Sequence, residues 1–158
     1  EVSTRMEGSD VAAGVMRSLG SIAAVRMDVP LARRWYDATA IALRNRGKED
    51  LFFVDLEALR ALLLCQEGKT AESLHKLKGC LAKWENVGHK RWAASTLLQI
   101  GSVHADADSK DAARQAVLRA RTLYLEAGDS YSAALCDKWL SARTRQEAKQ
   151  AIWNELYF

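Results

Sequence analysis

Three glycines recur along this chain with almost constant spacing. Gly47, Gly88 and Gly128 belong to a sequence of 158 residues. They follow one another at a step of about 40 residues, and a fixed period of roughly 20–50 residues is typical of a chain built from copies of one supersecondary unit. The spacing therefore predicts an array of repeated units, and it constrains the architecture more than the chemistry.

The residues around these glycines repeat with the same step. Each glycine follows a large apolar residue by four positions, and small residues also keep their places from one unit to the next. The columns are Leu43, Trp84 and Tyr124; Thr39, Cys80 and Ala120; Tyr36, Leu77 and Val117; Ala32, Ser73 and Ala113; and Gly20, Ala61, Gly101 and Ser141. Because several columns repeat with the same step, the period is not limited to the three glycines.

Within each unit the apolar residues follow a helical period. Between Asp28 and Leu43 they recur in steps of three and four, which places them on one stripe of a helix. Alternation with a period of two, the mark of a half-buried strand, does not extend over any useful length. Two helices and two short turns fill a unit of this length, so each unit is predicted to be a helical hairpin.

Capping residues agree with this division. Asp28 is a favourable N-cap, and Pro30, the only proline, falls in the first turn of a helix, where proline is tolerated. A left-handed C-terminal cap favours glycine. The predicted turns carry Gly47, Gly68, Gly88, Asp108 with Ser109, and Gly128. The predicted helices span 10–27, 29–46, 49–67, 70–87, 89–106, 110–127, 129–143 and 146–157.

The charge balance does not indicate a general nucleic-acid binder. The chain has 23 basic and 20 acidic residues and a net charge of +3, a small excess for such a protein. Two local basic sets are interpreted as solvated helix faces, with a basic binding strip along the second helices as the alternative. The sets are Arg33, Arg34, Arg44, Arg46 and Lys48, and Arg114, Arg119 and Arg121.

Composition predicts a protein without a membrane segment that is cytoplasmic, or nuclear if the source is eukaryotic. No apolar run approaches the ~18–20 residues that span a bilayer, and the sequence at 1–5 is no signal peptide. Cys65, Cys80 and Cys136 are odd in number and lie on apolar helix faces, which suits a reducing compartment.

The sequence offers no constellation for catalysis, for a metal or for a cofactor. His75, His89 and His104 include no pair with the spacing of a helical metal site. No glycine-rich phosphate loop, paired-carboxylate site or nucleophile elbow is present. An acidic cluster at 106–111 lacks the glycine and glutamate of a calcium loop. We therefore expect a protein that is not an enzyme.

The columns resemble those of the tetratricopeptide repeat. That family has a small residue on the first helix of each hairpin, and a small, a large and another small residue on the second. The unit here is longer than the usual ~34 residues and lacks a closing proline. This longer form is similar to repeats of bacterial multidomain signal-transduction regulators and of eukaryotic scaffold subunits. The resemblance covers nearly the whole chain and is weakest in the last hairpin.

The resemblance implies an all-α fold, a right-handed α-α superhelix of about four hairpins. Its concave face would be lined mainly by the first helix of each hairpin. The chain is expected to form one repeat domain over 1–158, with hairpins at about 10–47, 49–88, 89–128 and 129–157. The position of Gly8, one unit before Gly47, and the apolar stretch 152–158 favour a segment of a longer protein.

A carboxylate clamp, the best-defined binding mode of this family, does not fit the chain. The clamp uses Lys, Arg and Asn residues to hold a C-terminal carboxylate. The matching positions hold Arg17, Ser21, Leu62, Ser95 and Gln99. Arg17 alone has the required chemistry.

The expected function is that of a non-enzymatic scaffold that binds a partner peptide or helix in its concave groove. The partner would be another protein or another domain of the same chain. The alternative is a sensor segment of a larger signalling or transcriptional regulator, in which a ligand or partner changes how the repeats stack. An enzyme is the weakest reading. The candidate groove residues, chosen by helix position, are Arg17, Arg26, Asp55, Arg60, Gln99, His104 and Lys138.

Overall fold

The described part of the chain is entirely helical. The structure, a computed structural model, describes residues 2–44 and 51–151, with side chains from residue 11 onwards except that of residue 145. Within these residues there are eight α-helices and no strand, so the all-α prediction is confirmed. The helices are α1 (Val2–Val25), α2 (Val29–Arg44), α3 (Leu51–Gln66), α4 (Thr70–Asn86), α5 (Lys90–Asp106), α6 (Lys110–Glu126), α7 (Ser130–Ser141) and α8 (Arg145–Ala151).

The helix bounds agree with the predicted bounds to within two positions wherever both are described, with one exception. Helix α1 begins at Val2 instead of residue 10 and continues through Gly8. The interpretation of Gly8 as the closing cap of a preceding unit is therefore wrong, because its backbone lies inside a helix. The predicted ends at 45–50 and 152–157 lie outside the described residues.

The start of α2 shows how local sequence fixes a helix end. The Asp28 side chain accepts a hydrogen bond from the backbone N–H of Leu31 at 3.1 Å, as the N-cap prediction requires. Pro30 occupies the first turn of α2, where the missing N–H has no helical partner to lose.

Five of the six described turns between helices use the same pair of backbone hydrogen bonds; the turn between α7 and α8, where Ala142 is extended, does not. After α4, the N–H of His89 donates to the carbonyl of Trp84 at 2.9 Å, and the N–H of Gly88 donates to that of Glu85 at 3.0 Å. This is the Schellman arrangement, which needs one left-handed residue. The predicted caps at Gly88 and Gly128 are confirmed, whereas Gly47 lies outside the described residues. The left-handed residues are Met27, Gly68, Gly88, Asp108 and Gly128.

Successive turns between helices are separated by half of the sequence period. From Gly68 through Gly88 and Asp108 to Gly128 the left-handed residues are equally spaced, with two of them to each repeat unit. Each turn is followed by a carbonyl that accepts a bond from a small buried residue four positions later. A small side chain at this place lets the start of each helix pack closely on its neighbours. These residues are Ala32, Ser73, Ala93, Ala113 and Ala133.

The sequence columns are buried positions of the even-numbered helices. Helices α2, α4 and α6 each bury one stripe of side chains. When the three helices are aligned by the repeat period, the buried positions coincide. The shared positions are Ala32, Tyr36, Thr39 and Leu43 in α2; Ser73, Leu77, Cys80 and Trp84 in α4; and Ala113, Val117, Ala120 and Tyr124 in α6.

Close helix contacts explain two glycines of another column. A Cβ atom added to Gly20 would lie 2.4 Å from Cε1 of Tyr36, so the ring occupies the place of a side chain. A Cβ atom added to Gly101 would lie 3.0 Å from Cγ2 of Val117. Tyr36 and Val117 share one column, as Gly20 and Gly101 do, and thus the same contact is made in two different hairpins.

Helix α3 belongs to two groups of packed side chains. Each helix packs against the next one along the chain, and α3 also contacts α1 and α5. Leu56, Leu59 and Leu63 pack with residues of α1 and α2. Ala58 and Leu62, on another side of α3, pack with residues of α4 to α7. Helix α3 therefore joins the first hairpin, α1 and α2, to the rest of the described chain.

No helix in the described part of the chain is both long enough and apolar enough to span a lipid bilayer.

Replacing Met27 by glycine is expected to stabilise the protein. Met27 has φ +62°, a conformation that costs a residue with a Cβ atom about 1–2 kcal/mol. The extra freedom of glycine in the unfolded chain takes back roughly 0.5–1 kcal/mol. The expected net gain is about 0.5–1 kcal/mol, measured by urea unfolding followed by far-UV circular dichroism. An unchanged or lower stability would contradict the assigned turn.

Alanine is expected to have opposite effects at two helical glycines. Gly20→Ala forces a Cβ atom onto Tyr36 and should cost about 1–3 kcal/mol. Gly79→Ala, where no atom lies within 4 Å of the added Cβ, should gain up to about 1 kcal/mol. The same unfolding measurement compares them, and equal effects would rule out the close contact at Gly20.

Candidate functional site

Two of the seven candidate groove residues meet in a partly buried ion pair. Arg17 in α1 donates from Nε to Oδ2 of Asp55 in α3 at 2.6 Å, and from Nη2 to Oδ1 at 3.3 Å. The side chains are 22% and 8% exposed. A two-bond contact between guanidinium and carboxylate fixes both groups in direction as well as distance. The pair thus ties the first hairpin to α3.

The repeat pattern explains why there is open space beside this ion pair. Gly14 and Asp55 are separated by the same interval as Gly47 and Gly88, and so they share one position of the unit. No atom lies within 4 Å of a Cβ added to Gly14. Because α1 carries no side chain at the position where α3 carries a carboxylate, a space remains beside the Arg17 guanidinium.

This space is a cavity of about 160 Å³ between α1, α2 and α3, which we call the first pocket. Most of its wall is apolar, and the ion pair forms its polar side. Phe52, which is 59% exposed, also lines it. The lining residues are Ala13, Gly14, Arg17, Thr39, Leu43, Phe52, Asp55 and Leu56.

Arg60 lies in a different environment from Asp55, although both belong to α3. Its Nη2 donates to Oδ1 of Asp37 in α2 at 2.5 Å, and its Nη1 donates to Oε1 of Glu57 at 3.1 Å. These bonds direct Arg60 to α2 and away from the first pocket. Within the described residues, no direct contact therefore supports the prediction that Arg60 shares a groove with Arg17 and Asp55.

The other four candidate residues are spread over the chain. Arg26 is exposed in the turn after α1, and Lys138 is exposed on α7. Gln99 is buried in α5. His104 is half-buried near the end of α5, where burial, and then the charge of Lys78, lower its pKa below 6.5. The imidazole is therefore mainly neutral at pH 7.

Exposed basic residues are partly neutralised by contacts between helices. Arg33 donates to Glu67 at 2.5 Å, Arg121 donates to Asp137 at 2.6 Å, and Arg119 pairs with Glu85. Pairs of this kind contribute about 0–1 kcal/mol each, because water screens both charges. Within the described residues Arg34, Arg44 and Arg114 form no ion pair. The described members of the basic sets are thus a mixture of paired and solvated charges, whereas Arg46 and Lys48 lie outside the described residues.

A second and larger cavity lies on the other side of α3. It measures about 620 Å³ and is formed where the ends of α2 and α4 meet the start of α3. We call it the second pocket. Its lining residues are Arg44, Leu51, Phe53, Val54, Glu57, Lys83, Asn86 and Val87.

The thiol with a shifted pKa is poorly suited to nucleophilic chemistry. Burial raises the pKa of Cys80 to about 11, so this thiol stays protonated at neutral pH. Cys65 and Cys136 likewise form no disulfide within the described residues. Among the residues that the structure describes, no group of three His, Cys, Asp or Glu side chains is placed to hold a metal ion.

Sequence reasoning found part of the first pocket. Arg17 and Asp55 were selected by helix position, whereas Thr39 and Leu43 were assigned only to packing columns. Two adjacent phenylalanines, Phe52 and Phe53, could have signalled both cavities, because two neighbours on a helix cannot face the same side. Phe52 lines the first pocket and Phe53 the second.

Comparison with protein-family models, with curated proteins and with solved structures finds no match to this chain.

Removing Arg17 is expected to destabilise the protein more than removing an exposed arginine. Arg17→Ala leaves the nearly buried Asp55 carboxylate without its partner, which should cost about 2–4 kcal/mol. Arg33→Ala, which breaks the more exposed pair with Glu67, should cost clearly less, because water screens both charges. A double-mutant cycle of Arg17→Ala with Asp55→Ala measures the coupling by urea unfolding. Equal losses at Arg17 and Arg33 would show that burial does not strengthen this pair.

Proposed function

We propose that this chain is a non-enzymatic interaction module that binds a peptide or helix of a protein partner. The binding groove runs over α1 and α3, and the first pocket receives an anchoring apolar side chain. The single observation that carries this proposal is the first pocket itself, an apolar cavity closed on one side by the Arg17–Asp55 pair.

The size of the first pocket favours a side chain over a small molecule. Small-molecule sites usually measure about 300–1,000 Å³, whereas this cavity measures about 160 Å³. Interfaces often gain most of their affinity from a few apolar or aromatic anchors in pockets of the partner. The exposed ring of Phe52 offers further apolar surface at the same place.

The ion pair gives such a groove its polarity. Asp55 holds the Arg17 guanidinium through two of its N–H groups, and a guanidinium has further donors. These donors suit a backbone carbonyl or a carboxylate of the partner next to the anchor. A fixed arginine loses little side-chain entropy when it binds, because the ion pair has already restricted it.

The proposed architecture is a tetratricopeptide-like superhelix. Three observations support it: the common turn geometry, the coincident buried stripes of α2, α4 and α6, and the packing of each helix on the next. In such an array the odd-numbered helices line the concave face. The three cysteines form no disulfide within the described residues, which suits a reducing compartment, and we propose the cytoplasm.

A sensor segment of a larger regulator is the second candidate function. The observation that favours it is the second pocket, whose volume of about 620 Å³ lies in the range of small-molecule sites. It is formed by three helices of two successive hairpins. A ligand there would act on the relative position of those helices.

A pocket-filling substitution tests the main proposal. A displayed library of random peptides is selected on the wild-type protein, and the affinity of the selected peptides is then measured for Gly14→Leu and Gly79→Leu. Both glycines are exposed helical positions with no atom within 4 Å of an added Cβ, so both variants should fold. Gly14 lines the first pocket and Gly79 does not.

The expected result is a loss of affinity of at least about tenfold for Gly14→Leu and none for Gly79→Leu, because one methyl-rich side chain fills the anchor site. Arg17→Lys, which keeps the charge and loses the two-bond geometry, should give an intermediate loss. Peptides that bind Gly14→Leu as well as wild type, or that require the exposed face of α4, would refute the groove assignment.

A further inference from the structure

The second pocket combines apolar walls with two basic side chains. Leu51 and Val87 are 41% and 54% exposed, and both face the cavity together with Phe53 and Val54. Large aliphatic side chains that remain this exposed beside one another offer apolar surface for a ligand. The cavity volume of about 620 Å³ admits a molecule of small-ligand size.

Two cations lie on the wall of this cavity. Arg44 is in the last turn of α2 and Lys83 in the last turn of α4. Both are exposed, and neither forms an ion pair within the described residues. The two charges come from different hairpins, so their meeting at one cavity depends on how the hairpins pack.

Glu57, the one acidic side chain among the described residues that line the cavity, does not cancel these charges. Glu57 accepts a hydrogen bond from Nη1 of Arg60 at 3.1 Å, and Arg60 also binds Asp37. The carboxylate is therefore already engaged on the α2 side of α3. Among the described lining residues, basic side chains therefore outnumber acidic ones, two to one.

We infer that the second pocket binds a small anionic amphiphile, with its acidic head between Arg44 and Lys83 and its apolar part against Leu51, Phe53 and Val87. The head is a carboxylate or a similar anion, and the tail is a short alkyl chain or a ring. This inference deepens the second candidate function and does not depend on a peptide in the first pocket.

Basic residues in the last turn of a helix also have a purely structural use. A cation there offsets the negative end of the helix dipole and thereby stabilises the helix slightly. That role predicts a small change in unfolding free energy on substitution and no effect on ligands. The ligand experiment below distinguishes the two roles.

The probe pair is octanoate and octylammonium, both used below their micelle concentrations. Their alkyl chains differ by a single carbon, and their head groups carry opposite charges. Backbone amide shifts of the ¹⁵N-labelled full chain follow the titration. Octanoate is expected to shift the amides of Leu51, Phe53 and Val87 along one saturable curve. Octylammonium is expected to bind at least about fivefold more weakly, because the cations repel it.

Matched variants separate the pocket from general surface charge. Lys83→Gln should weaken octanoate about threefold to tenfold, and the double variant with Arg44→Gln should weaken it further. Lys76→Gln removes an exposed charge of the same helix outside the pocket and should leave the affinity unchanged. Amide spectra that keep their dispersion confirm that each variant is folded.

Three outcomes would overturn the inference. The first is octanoate shifts that do not saturate or that lie away from the pocket. The second is equal affinity for octylammonium, and the third is full binding by the double variant. An acidic peptide that occupies the second pocket while octanoate does not would likewise replace the proposed ligand class. None of these results affects the Gly14→Leu test, so the two proposals fail separately.

Discussion

The turns between helices are the constraint on which the rest of the structure depends. One left-handed residue and two backbone hydrogen bonds end α1, α3, α4, α5 and α6, and the same few residues start the next helix. The first deeply buried side chain then follows at a fixed distance, as Ala93 and Ala113 show. Helices that follow such a turn enter the core in the same register. Equivalent contacts, such as those of Gly20 and Gly101, therefore recur in different hairpins.

The helices could be predicted from sequence because period and caps are local signals. The start of α1 could not, because a glycine is compatible with a helix interior as well as with a left-handed cap, and Gly8 lacks the context of Gly88. The turn at Met27 shows the converse case: its backbone adopts the glycine conformation without a glycine to signal it. The same turn geometry is therefore formed by different sequences.

The site could be predicted only in part, because a contact between helices depends on their rotation. Asp55 and Arg60 were both chosen from α3, yet a step of five positions turns a helix through roughly 140° from the starting side. Asp55 meets Arg17, and Arg60 meets Asp37. The sequence position of a residue predicts which helix carries it. The neighbour that its side chain contacts depends on how the helices pack and rotate against one another.

The double membership of α3 has a consequence for local unfolding. Much of the apolar group that joins α3 to the first hairpin consists of small residues, including Ala23, Ala24 and Ala40. Little area is buried by each, so separation of this hairpin is expected to need less free energy than global unfolding. A partner seated between α1 and α3 would bind only the closed form and would oppose that opening by mass action. Occupancy of the first pocket would then be reported by slower amide hydrogen exchange throughout α1 and α2, far beyond the residues that touch the partner.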